Sequence, residues 1–378
     1  MARFPDFKSA LTVNAVTTAR FAITYTVKNE ANLLPDAIAY HLGLGCSRIY
    51  VFFDGSTDNS RELIRDTERV RCADSVAPDS LRDVPAWIEA LVPRWTESMD
   101  VRKRINTYVS AQMARNESID WLINLDPDEL LLLNPAEARA PGDPGKFFSE
   151  IPATVDQILV PNLEAVPNHC GSGRPFADCT LFLRRFPITE LLWRSGAALI
   201  RRAIARPKLH AWYDYWFYRF RFQGALPRLM HHPTTGESIP AGYFLGYSNH
   251  KAFIRTRVAR HFLFNIHRWQ KAERRPKSIS RGCLLHYDLC SLEYFREKFR
   301  QRPPAMLIKA FFCRHMFALI ARDLSFESAR KFFLENICIT DDRILARLRR
   351  RGILVEISSI SSRMKQRPIV QNGSAPVD

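Results

Sequence analysis

Trp121-Leu122-Ile123-Asn124-Leu125-Asp126-Pro127-Asp128-Glu129-Leu130 is the stretch on which the fold turns. Its first five residues, mostly large and apolar, read as a buried strand. The run then breaks into two aspartates around a proline. A buried strand that ends in acids carries those acids to the rim of its sheet. Pro127 stiffens the backbone between Asp126 and Asp128, so both carboxylates leave the strand close together. Glu129 has two readings: a group serving that pair, or an acid opening a helix.

Upstream, the same grammar occurs twice. Phe21-Ala22-Ile23-Thr24-Tyr25-Thr26-Val27 is apolar and β-branched, and it ends in Lys28-Asn29-Glu30. Leu33, Leu34, Ala37, Ile38 and Leu42 then recur at helical spacing until Gly43 and Gly45. Arg48-Ile49-Tyr50-Val51-Phe52-Phe53 is a second strand, closed by Asp54-Gly55-Ser56-Thr57-Asp58-Asn59-Ser60, whose Asp and Ser residues suit a helix cap. Residues 100–118 read as a helix before the strand at Trp121, and Gln157-Ile158-Leu159-Val160 reads as a further strand. Strands alternating with helices predict an α/β fold, a mostly parallel sheet flanked by helices. Ligands of such sheets lie beyond the carboxyl ends of the strands. Three strands here end in acidic or polar turns, and their coincidence outweighs any one of them.

Composition sets the outer limits. The 378 residues suffice for a large core, and 46% hydrophobic with 25% charged residues is ordinary for a globular chain. The net charge of +16, from 55 Lys and Arg against 39 Asp and Glu, favours anionic partners without choosing among them. Eight scattered cysteines with no C-x-x-C pair give little support to a zinc site or a disulfide framework. They read as small buried hydrophobes in a reducing compartment. No signal peptide or spanning apolar run is visible, so the expected location is cytoplasmic, with a peripheral position at the inner face of the membrane as an extension.

Acids at strand ends have a chemistry. A nucleotide-sugar diphosphate gains negative charge on its leaving group as the glycosidic bond breaks. A hard divalent cation held by carboxylates neutralises that charge. An Asp-x-Asp alone is weak evidence, because two acids in a turn are often merely solvated. Nucleotidyl transfer also uses acids around a metal, but it wants a glycine-rich loop near the first strand, and Lys28-Asn29-Glu30 has none. A non-enzymatic basic module for membrane or glycan surfaces explains the charge and leaves the ordered acidic turns unexplained.

Thr26-Val27-Lys28-Asn29-Glu30, Ile38-Ala39-Tyr40-His41-Leu42-Gly43-Leu44-Gly45, Asp54-Gly55-Ser56-Thr57-Asp58 and the stretch around Asp126, in this order, resemble the GT-A-fold glycosyltransferases of the family 2 type. The resemblance is to the branch related to family 92, where the last motif usually reads Asp-Ile-Asp-Glu-Phe. It continues through Lys251-Ala252-Phe253-Ile254-Arg255, Ile266-His267-Arg268-Trp269 and Leu285-His286-Tyr287, with Ser291 and Lys298, and so covers roughly residues 21 to 300. Pro127 stands where relatives carry an aliphatic residue, and Lys251 lacks the usual preceding glycine.

The resemblance implies a metal-dependent sugar transfer from a UDP- or GDP-sugar to a glycan or lipid-linked acceptor, as in polysaccharide biosynthesis. Inversion is the expected course, with retention left open, and no nucleic acid partner is expected. The resemblance also implies that Lys28, Glu30 and Asp54 contact the nucleotide, and that Asp126 and Asp128 engage Mn²⁺ or Mg²⁺ and the diphosphate. It further implies His286 as the late metal ligand. His267 competes for that role, and Lys251 and Arg255 suit phosphate. Glu129, Glu164 and Asp178 are candidate bases for the acceptor proton. The alternative is an inactive or purely binding protein on the same fold.

The expected organisation is an extension at 1–20, a nucleotide-sugar-binding half at 21–187, a basic aromatic insertion at 188–232, an acceptor-side, metal-completing half at 233–300, C-terminal helices at 301–357 and a disordered tail at 358–378. In the insertion, Arg194, Arg201, Arg202, Arg206, Lys208, Arg219, Arg221 and Arg228 interleave with Trp212, Tyr213, Tyr215, Trp216 and Tyr218. That mixture suits an anionic membrane surface, an acidic or lipid-phosphate-linked acceptor glycan, single-stranded nucleic acid, or simple packing on the main domain.

Overall fold

The structure is a computed structural model that describes residues 19–134, 142–171, 173–184, 229–231, 238–240, 250–288, 290–300 and 324–365. The basic aromatic insertion lies almost wholly outside these residues, as do 301–323 of the expected C-terminal helices and 366–378 of the expected tail. The start of that tail is not disordered: Ser359–Lys365 is a helix, with Ile360 and Met364, one turn apart, buried.

The strand β1 (Phe21–Val27) lies between β2 (Arg48–Phe53) and β4 (Trp121–Leu125), parallel to both, and β3 (Val70–Asp74) continues the parallel run beyond β2. On the other side of β4 the pattern changes. The strand β10 (His250–Arg255) inserts antiparallel between β4 and β6 (Gln157–Ala165). The main path therefore runs β3-β2-β1-β4-β10-β6, and continues through β7 (Leu181–Leu183) to β15 (Leu354–Glu356). Of the short strands, β8 (Leu229–His231) pairs with β9 (Ser238–Pro240), β11 (Phe262–Phe264) with β12 (Trp269–Lys271), and β13 (Ser278–Ser280) with β6. The expectation of a mostly parallel sheet describes the first half. Alternation with helices predicts that half, whereas β10 arrives from far along the chain with no local sign of its direction.

Alternate residues of β1 feed two layers. Phe21, Ile23, Tyr25 and Val27 join one cluster with Leu34, Ala37 and Ile38 of the helix α1 (Leu34–Gly43). Ala22 faces the other way and joins Tyr50, Leu122 and Ile254 with Ala111 and Ala114 of the long helix Met99–Asn116. Period-two alternation on a strand covered on both faces makes every residue of β1 buried. Each large apolar side chain so buried contributes roughly 1.5–3 kcal/mol.

The long helix docks through polar groups as well. Ser110 Oγ donates to Thr24 Oγ1 at 2.9 Å, and Asn106 Nδ2 donates to Thr26 Oγ1 at 3.1 Å. Ser98 caps its first turn by accepting from Val101 N. These contacts fix the helix along β1 and carry Lys103, one turn before Asn106, to the rim where β4 ends. On the opposite face, α1 grips a single residue of β5 (Glu129–Leu132) by both its backbone groups. Tyr40 Oη donates to Leu131 O at 2.6 Å, and Leu131 N donates to His41 Nε2 at 3.2 Å.

The seven described cysteines are free thiols, and Cys46, Cys179, Cys290 and Cys338 are buried, as small hydrophobes would be. Among the described residues, no helix is long and apolar enough to cross a membrane.

Candidate active site

Register brings the three acidic turns to one rim. Val27 pairs with Phe53 and Tyr25 with Leu125, so Lys28, Asp54 and Asp126 all follow strands that end together. The first two turns are laced to each other. Asn29, in the left-handed region at φ 56°, accepts through Oδ1 from Thr57 N at 2.7 Å, and Asp58 Oδ2 accepts from Ala31 N at 2.9 Å.

The third turn is closed on itself. Glu129 N donates to Asp126 O at 3.0 Å, and Asp126 N donates back to Glu129 Oε2 at 2.7 Å. Pro127 sits at the second position of this four-residue turn, where its fixed φ is favoured. A strand follows, so the reading of Glu129 as an acid opening a helix is set aside. The apolar run Glu129–Leu132 pairs instead with β14 (Cys283–His286).

That pairing builds the site. The strand β14 runs antiparallel to β5 and parallel to β6, so His286 lies opposite Glu129 on one side and Glu164 on the other. Glu164 Oε1 is 2.7 Å from His286 Nδ1, while Asp128 Oδ2 is 3.8 Å from His286 Nε2. Burial alone would lower the imidazole's pKa, but Glu164 and Asp128 outweigh it and hold it at about 10. Glu164 is therefore a partner that orients His286, and burial raises its own pKa despite that contact.

Ligand atoms of Asp128, His286 and Asp288 lie within 4.8 Å of one another, and all three residues are buried. Two carboxylates and an imidazole suit Mn²⁺ or Mg²⁺, with the nitrogen donor favouring Mn²⁺. A carboxylate behind the histidine, here Glu164, is the usual support for such a ligand. The donor set fits a divalent cation. Asp288 is absent from the residues that the motifs suggest, although its spacing two residues after His286, at the end of a strand, is a signal for a shared face.

Asp126, the first acid of the motif, faces two lysines. Its Oδ2 accepts from Lys251 Nζ at 2.7 Å and its Oδ1 accepts from Lys103 Nζ. Burial would raise its pKa, yet the two ammonium groups drive it well below the carboxylate range. Lys251 also lies 3.2 Å from Glu129, which burial lifts to about 7 against the pull of that lysine. Glu30 reaches the same electrostatic neighbourhood. Burial raises it to about 8, with Asp128 adding to the effect and Lys298 opposing it.

The remaining expected residues are distributed differently. Asp54 is buried and doubly held by Arg102, with Nε 2.6 Å from Oδ1 and a terminal nitrogen 2.8 Å from Oδ2, while Ser75 Oγ donates to it at 2.7 Å. Lys28 is exposed nearby. Arg255 lies at the far end of β10, paired in register with Trp121, because β10 runs antiparallel to β4. Its guanidinium donates to Val155 O and Pro152 O and covers the Trp121 ring at 4.2 Å. Arg255 stands four residues along the strand from Lys251, roughly 13 Å. Asp178 Oδ2 accepts from Arg174 N at 3.2 Å, within its own short helix. His267 follows Ile266, a β-branched residue at φ 66°, and is half-buried. Burial and the nearby Lys251 lower it to about 3.

No protein-family profile matches the chain. Two Arabidopsis thaliana proteins do, and both are described as glycosyltransferase-like. The first is 24% identical over 374 residues, which is 93% of this chain and 71% of that protein. The second is 24% identical over 339 residues, 85% of this chain and 58% of that protein, so the alignment spans little more than half of its length. The chain is similar to glycosyltransferase-like proteins. Among solved structures, it matches glucosyl-3-phosphoglycerate synthase from Mycobacterium tuberculosis, solved with Mn²⁺, UDP and phosphoglyceric acid. That overlap has a TM-score of 0.21 and 14% identity, and it covers 37% of this chain and 42% of that one, too little to decide a function.

Proposed function

We propose that this protein is a metal-dependent glycosyltransferase that moves a sugar, with inversion, from a UDP- or GDP-sugar to a glycan or lipid-linked acceptor. The observation that carries the reading is the convergence, at one sheet rim, of Asp128, His286 and Asp288 with the ammonium groups of Lys103, Lys251 and Lys298. Carboxylates and an imidazole suit a divalent cation, and ammonium groups suit phosphate oxygens. The resemblance in motif order and the two glycosyltransferase-like relatives support the same class.

A bound Mn²⁺ or Mg²⁺ would neutralise the diphosphate leaving group. Asp128, His286 and Asp288 would hold it, with Glu164 keeping the imidazole oriented. Asp126 anchors Lys103 and Lys251 at the rim and keeps both charges fixed for the diphosphate. Inversion requires a carboxylate to take the acceptor's proton. Our candidate for that task is Glu129, beside the Asp126 turn, with its Oε2 facing Asp126 N and Lys251; Glu164 is paired with His286 and Asp178 with its own helix. Asp54 acts through Arg102, which it holds in place beside the first two turns.

The test is to incubate purified protein with UDP-, GDP- and dTDP-sugars, in Mn²⁺ and in EDTA, and to follow nucleotide binding and release. Binding and release in Mn²⁺, lost in EDTA and in Asp128→Ala, are expected. Wild-type turnover by Asp128→Ala would remove the central residue from the reaction.

A further inference from the structure

The position between Asp128 and Asp288 already contains a positive charge. Lys298, on the helix Leu292–Arg300, places its Nζ 2.5 Å from Asp128 Oδ2 and 2.5 Å from Asp288 Oδ1. These are the two carboxylates whose oxygens converge with His286. Asp128 Oδ2 also faces His286 Nε2 at 3.8 Å, so the oxygen facing the histidine is the one the lysine uses; it accepts from Tyr294 Oη at 3.2 Å as well. An ammonium and a divalent cation cannot share those oxygens, because like charges at bonding range repel strongly in a site shielded from water.

We propose that the Lys298 ammonium holds the cation position between Asp128 and Asp288 and must vacate it before a divalent ion can be held there. The inference rests on the metal-dependent reading above and adds a residue that regulates access to the metal site. Geometry gives the lysine a way out. Its side chain is 16% exposed, against 4% and 7% for the two aspartates, so it covers the pair from the solvent side. Its nitrogen lies 5.2 Å from the centre of the Tyr294 ring, which flanks the stem at the rim. Four rotatable carbon–carbon bonds let the ammonium swing without moving the helix.

Where the ammonium goes determines what the device does. A nucleoside diphosphate arriving at this rim offers oxygens to the displaced Lys298, so the ion and the nucleotide favour each other's binding. In their absence, the lysine neutralises two buried carboxylates that would otherwise repel. Metal alone binds weakly, and metal with nucleotide binds well.

The experiment titrates Mn²⁺ into the full-length protein and follows the free-ion signal by electron paramagnetic resonance. Wild type is compared with Lys298→Met and Lys298→Gln, after circular dichroism has confirmed the fold of each. Both substitutions are expected to tighten Mn²⁺ binding by roughly tenfold or more, the scale of ordinary site coupling. The gain is expected to vanish when Asp288→Asn is added. Adding UDP or GDP is expected to tighten Mn²⁺ binding in wild type far more than in Lys298→Met. Equal or weaker Mn²⁺ binding by both lysine variants would overturn the proposal and leave the metal-dependent reading standing. Binding by neither wild type nor variants would overturn both. Binding confined to the lysine variants even with UDP or GDP present would uphold the competition and remove the metal from the wild-type reaction.

Discussion

Replacing Asp126 by Asn, in EDTA, separates two accounts of that residue by the sign of a stability change. If Asp126 serves only as a metal ligand, its charge in the metal-free protein is a liability among Asp128, Glu129 and Glu30, and its removal should relieve repulsion. If it anchors lysines, its removal strands two ammonium groups whose residues are only 7% and 3% exposed. Breaking a buried ion pair from one side typically costs ~3–5 kcal/mol. The Asp126 side chain is itself 36% exposed, so water screens part of the interaction. Glu129, 3.2 Å from Lys251, compensates part of the remainder. The expected loss is therefore about 2–3 kcal/mol, between the buried and the exposed limits. Urea unfolding with linear extrapolation reads it directly. Because the Asp126 pKa lies well below the carboxylate range, its contribution is complete above the unfolded-state pKa. It declines as pH falls from there through the folded value, so the deficit is measured at pH 7. Adding Lys103→Met should recover part of the loss, since the double variant strands one charge fewer. Asp126→Asn as stable as wild type, or more stable, in EDTA would refute the anchoring account.

Two further outcomes come from other parts of the structure. Burial holds His41 neutral down to about pH 3, whereas an unfolded histidine protonates near 6.5. Its contribution is thus complete above 6.5 and declines by ~1.4 kcal/mol per pH unit as pH falls towards 3. His41→Gln should flatten stability between pH 6 and pH 4 by about that slope, and parallel curves for the two proteins would count against it. Gly142, at φ +96°, would bring an added Cβ to 2.8 Å from Asn134 N, whereas Gly55, at φ +68°, has nothing within 4 Å. Gly142→Ala should therefore lower the melting temperature more than Gly55→Ala, which bears only the backbone strain of ~1 kcal/mol. Equal shifts would show that the neighbouring backbone yields.

Within the sequence, short-range pattern decides the local elements and the rim. The strands at Phe21, Arg48 and Trp121, the helix before Trp121 and the acidic ends of all three strands follow from composition and periodicity over short spans. Parallel alternation with helices then makes those ends coincide. Partnership across the chain is a different matter. Asp126 reads as a metal ligand from its motif, yet Lys103 from a helix and Lys251 from an antiparallel strand occupy its oxygens. Arg255 sits four residues from Lys251, but strand direction sends it to the opposite end of the sheet. Asp288 and Lys298 meet Asp128 only because β14 inserts between β5 and β6. Hydrophobic pattern fixes which face of a strand is buried, and it acts over a few residues. Which charges share a cavity depends on strand order and direction, which are decided by the packing of the whole sheet.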